Sequence, residues 1–133
     1  MSTYPMSVSS HDLAADLARG LNEVVPDGLL VHAVDGSLEV RSGELVVGGS
    51  AALEILEDED ADPAPGRIET AARAALSGVQ DVIIETIRGP WPGEDDGGRD
   101  LPQPDCHVRG RELLTWFGDE ATPALVLPAI LLP

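Results

Sequence analysis

Along this chain the apolar residues change period twice, and that change constrains the fold more than any single motif. Leu13, Leu17, Leu21 and Val24 recur at helical spacing, with Asp12, Asp16 and Glu23 off the stripe. Apolar residues three or four places apart mark one face of a helix. Ser10 is placed to cap it and Pro26, Asp27 and Gly28 to stop it, so a helix is predicted from His11 to Val25. From Leu29 the pattern becomes short apolar runs separated by Asp35-Gly36, Ser42-Gly43 and Gly48-Gly49. Glycine supplies the positive φ of tight turns, so Leu29–Val34, Leu38–Arg41 and Glu44–Val47 are expected to form a hairpin meander. Ser50–Leu56 fits either a fourth strand or a short helix, with the helix preferred.

Helical spacing returns between Arg67 and Arg88, where Ile68, Ala72, Ala75, Leu76, Val79, Ile83 and Ile87 share a face and Gly89-Pro90 ends the run. Gly78 inside it costs about 1 kcal/mol relative to Ala and is read as a point of close packing. Gly89–Pro104 is dense in breakers and reads as loop, with Trp91, between Pro90 and Pro92, a plug that closes the helix against the sheet. Cys106–Val108, Glu112–Phe117 and Ala124–Leu132 then form a second meander. The order α-β-β-β-α-β-β-β points to an α+β fold, an antiparallel sheet from two β-meanders with both main helices packed on one face. This divides the chain into a flexible tail over residues 1–10 and a single domain over 11–133, with acidic loops at 57–66 and 89–105.

Charge excludes more than it assigns. The chain of 133 residues carries 24 acids against 8 arginines and no lysine, for a net charge of −16. Such a potential repels phosphate backbones and anionic headgroups, so neither direct nucleic-acid binding nor membrane binding is expected. Glu57, Asp58, Glu59, Asp60 and Asp62 form one acidic run, and Glu94, Asp95, Asp96, Asp100 and Asp105 populate another. Both read as solvated loops. No apolar run approaches the ~20 residues that span a bilayer, and no basic segment precedes an apolar stretch at the N-terminus, so a cytoplasmic location is expected.

Motifs with chemistry are few. Asp58, Asp60, Asp62 and Glu69 take the first, third, fifth and twelfth places of a twelve-residue window and so resemble an EF-hand calcium loop. The sixth place, where the EF-hand turns sharply on glycine, is Pro63, and the eighth is Pro65. No metal and no cofactor are therefore expected. Cys106 and His107 are adjacent, and neighbours in a strand point to opposite faces, so they form no nucleophile–base pair. Cys106 is read as a small core residue.

The lysine-free, alanine-rich composition resembles that of small actinobacterial domains of unknown function. The size, acidity and element order resemble the type III secretion chaperone-like fold, which implies an acidic dimer holding a protein partner. Independently, Glu112–Phe117 and Leu125–Leu132 are apolar on both faces, more than helices on one side can cover. We therefore expect a non-catalytic protein-binding domain, adaptor or chaperone-like, that forms a homodimer through Leu114, Trp116, Phe117, Leu125 and Leu127. The rivals are an acidic nucleic-acid mimic that inhibits a DNA-binding protein and, third, a small enzyme using Cys106 or the histidines.

Overall fold

The computed structural model describes residues 10–34, 36–49, 64–89, 91–92 and 102–132. Of the expected tail over 1–10, only Ser10 is described, as the first residue of a helix. The ambiguous stretch 50–56 and, of the expected acidic loops 57–66 and 89–105, residues 57–63 and 93–101 lie outside the described residues. The elements are α1 (Ser10–Leu21), β1 (Leu29–Val34), β2 (Ser37–Ser42), β3 (Leu45–Gly49), α2 (Ala64–Ile87), β4 (Pro104–Arg109), β5 (Glu112–Gly118), β6 (Pro123–Val126) and β7 (Ile130–Leu131). The class is α+β in the expected order. The strands form two antiparallel sheets instead of one, β1-β2-β3 and β4-β5-β6, with β7 also paired to β5.

Helix α1 buries Leu13, Leu17 and Leu21 completely, as their spacing requires. It stops four residues before the expected Val25 because Asn22 is committed elsewhere. Its side-chain amide donates to Val31 O at 2.9 Å, and Val31 N donates to Asn22 Oδ1 at 2.7 Å. The chain tightens there, with Glu23 N donating to Gly20 O and Val24 N to Leu21 O. Helix α2 begins at Ala64, inside the expected loop 57–66, since proline is tolerated in a first helical turn. Ile68, Ala72, Ala75, Leu76, Val79 and Ile83 are buried, whereas Ile87, expected on the same face, is 40% exposed at the helix end.

Both sheets share one core. Leu29, Val31, Leu38 and Val40 join it from the first sheet, and Cys106, Leu113, Phe117, Leu127 and Ile130 from the second. Helix α2 packs on β2, β3 and β4, and so ties the two sheets together. Trp91 meets Phe117 edge-on, at 5.2 Å between centroids and 70° between planes. The buried Gln80 amide on α2 donates to Trp91 O at 3.1 Å and to Pro102 O at 2.7 Å. Trp91 thus closes the helix over the second sheet.

Two-residue loops join β2 to β3 and β4 to β5, with Gly43 at φ 63° and Gly110 at φ 62°. Gly48-Gly49, expected as a turn, instead continues β3 opposite Val40 and Glu39. A Cβ at Gly48 would stand 2.8 Å from both γ-carbons of Val82 on α2, so the glycine is required by the closeness of the helix. The expected last strand is split into β6 and β7. Val126 to Leu131 spans five steps while their partners Trp116 to Glu112 span four, so one extra residue bulges at Pro128–Ala129, where proline cannot donate to a ladder.

Gly48→Ala should lower stability by about 1–3 kcal/mol, as overpacking does. Urea denaturation of a double-mutant cycle with Val82→Ala should show that the second substitution relieves part of that loss. Additive effects would mean that the glycine is not held by the helix.

Candidate functional site

Strand alternation divides the five expected interface residues. Phe117 is completely buried, Leu127 is buried, and Leu125 packs against the core from β6. Phe117 is withdrawn into the core, whereas Leu125 is half-buried and Leu127, though buried, also lines the hollow over Trp116. Leu114 and Trp116 belong to the opposite face of β5, where Trp116 pairs with Asp105 and Val126, and Leu114 with His107. The sequence could not separate the two sets because both faces of β5 are apolar. Trp116 is only 7% exposed, although it stands apart from the core cluster, and its indole N–H donates to Gly118 O at 3.1 Å.

Above Trp116 lies a hollow of about 190 Å³ walled by Arg109, Leu114, Glu120, Pro123 and Val126. Val126, at 60%, and Leu131, at 76%, are two of the most exposed large apolar side chains among the described residues, and neither was singled out by sequence. Their signal was the one-residue register shift at Pro128, which no periodicity displays. Arg109 and Glu120 flank the hollow at 3.9 Å from each other, too far and too exposed for a strong pair. A larger hollow of about 280 Å³ lies between α1 and the C-terminal strand. Its Asp16 and Arg19 satisfy each other at 2.7 Å.

The edge of β4 organises the remaining polar residues. Pro104 has no N–H, Cys106 N donates to Asp105 Oδ1 at 2.8 Å, and Val108 N donates to Glu69 Oε2 at 2.7 Å. Glu69, the would-be twelfth calcium ligand, therefore spends its carboxylate on β4 and on His107 Nδ1, 3.3 Å away. The other three positions of that window lie outside the described residues. Among the described residues no three metal-binding side chains gather. Pro104 and Asp105, expected in a loop, open β4 as its first two residues.

Cys106 faces the core, and its thiol donates to Glu69 O at 3.1 Å. Burial pushes its pKa from the ordinary 9.0 up to about 11, against the pull of Arg73 and with smaller upward pushes from Glu69 and Asp105. A thiol held in this state is a hydrogen-bond donor and a poor nucleophile. No helix among the described residues is long and apolar enough to cross a membrane.

The folded protein binds this thiol proton more tightly than the unfolded chain does. The associated stability is therefore complete below pH 9 and is lost as pH rises through 9 towards 11. Denaturation curves over that range should fall more steeply for the wild type than for Cys106→Ala, and alkylation of Cys106 at neutral pH should require unfolding. Rapid alkylation of the folded protein would contradict this. Comparison with known proteins finds no family model that matches the chain, no similar curated protein and no similar solved structure.

Proposed function

We propose that this chain is a non-catalytic protein-binding domain whose interface is the outer face of the C-terminal sheet, used first to form a homodimer. The observation that carries the reading is the hollow over Trp116, with Leu114 and Val126 in its wall and Leu131 exposed on the neighbouring β7. A tryptophan in an apolar hollow with a polar rim has the composition of an interface anchor. The charges around it are mixed. Arg109 and His107 stand on β4 with Asp105, Glu112 on β5 and Glu120 at the rim, so both signs of charge are present and two copies meet here with less repulsion than the net charge imposes elsewhere.

The protonated thiol of Cys106 supports the non-catalytic reading over the enzyme reading, because the one cysteine serves as a donor to α2. The nucleic-acid mimic needs carboxylates on a fixed surface. The described outer face of the second sheet sets Arg109 and His107 among Asp105, Glu112 and Glu120, a mixed surface that favours a protein partner instead.

Val126 is the informative residue because it is exposed and its replacement leaves the core intact. Val126→Asp should move the mass measured by light scattering from dimer to monomer while leaving the thermal transition within a few degrees. Trp116→Ala should do the same with some loss of stability, about 2 kcal/mol of interface energy being typical of such an anchor. A wild-type protein that stays monomeric at millimolar concentration would contradict the homodimer.

A further inference from the structure

The two sheets end in four edges, and prolines or side chains of the chain itself guard part of three of them. On β1, Leu29 N donates to Pro26 O, and Val31 exchanges both of its backbone bonds with the Asn22 amide. On β4, the alternate positions 104, 106 and 108 are closed by proline, Asp105 and Glu69. On the C-terminal edge, Pro123 and Pro128 offer no donor, and Pro128 lies against α1, where a Cβ at Gly20 would stand 3.4 Å from its Cδ. The fourth edge is β3. Among the described residues, no hydrogen bond other than those of the β2–β3 ladder reaches Leu45–Gly49.

Apart from the bulge beside Val40, that strand has little of what protects natural edges. Leu-Val-Val-Gly-Gly carries no charge and no proline, and Leu45 and Val46 are 68% and 48% exposed. Its surroundings are acidic, with Glu44 before it and exposed Asp81 and Glu85 on α2 beside Val82, the residue packed on Gly48. Like charge and the bulge beside Val40 both work against a second copy pairing here, since self-pairing of edges needs flat, uncharged strands.

We infer that β3 accepts an extended, basic segment of a partner protein as an added strand. Backbone bonds to β3 supply the affinity and the flanking carboxylates select lysine or arginine. This surface is separate from the hollow over Trp116, so it stands whether or not the protein dimerises.

The test uses the full chain and three short labelled peptides: one alternating lysine and valine, one alternating glutamate and valine, and the lysine peptide with alternate backbone amides methylated. The unmodified lysine peptide should bind and shift the amide resonances of Leu45–Gly49 most. The glutamate and methylated peptides should each bind at least about tenfold more weakly. Asp81→Lys with Glu85→Lys, both exposed, should weaken the lysine peptide by a similar factor, and Val126→Asp should leave it unchanged. Equal binding of the methylated peptide, shifts centred on Trp116 and Val126, or no binding of the lysine peptide would each overturn the inference.

Discussion

A strand at the edge of a sheet exposes N–H and C=O groups that must find water, a side chain or another strand. Folding as two small sheets doubles the number of such edges, and much of this molecule is arranged around that fact. Glu69 is the central case. It sits on α2 among residues that pack on β4, and its carboxylate takes the Val108 amide while the carbonyl of the same residue accepts the Cys106 thiol. One residue therefore fixes the helix to the strand edge at two points. A charge-assisted bond of this kind is roughly twice as strong as a neutral one. The same logic ends α1, where Asn22 leaves the helix to act as a one-residue strand beside Val31.

Closing edges also decides which surfaces remain for partners. The strand face that carries Leu114, Trp116 and Val126 is apolar, yet β4 beside it cannot add a strand because its donors are taken. Face-to-face packing is the mode left on the β4 side of that sheet. On the first sheet the situation is reversed. The β3 edge is unclosed among the described residues, while Gly48 lets α2 approach and bring acidic residues alongside it. Two surfaces of different chemistry follow, one apolar with mixed charge and one a backbone edge with acidic flanks.

The helices and strands were legible in the sequence because their apolar periods are long and distinct. Leu13, Leu17 and Leu21 fill one helix face, and the strands of the first meander fall within a residue or two of their expected bounds. What was not legible depends on partners far along the chain. Glu69 meets Val108 across 39 positions, and nothing local to either residue marks the pairing or the separation of the two sheets that accompanies it. Gly48-Gly49 has the look of a turn because glycine's two uses, positive φ and close approach, leave the same letter. Alternation puts Leu114 and Phe117 on opposite faces, but which of the two turns inward is legible only where one face is polar.

Side chains close the strand edges at Val31, Cys106 and Val108. Native-state hydrogen exchange reads those amides one by one. They should exchange at least about tenfold more slowly than the amides of β3 that face away from β2, and Glu69→Ala should release Val108 without releasing Val31. Exchange at Val108 as fast as at the exposed turn residue Glu120, and unaltered by Glu69→Ala, would contradict the account.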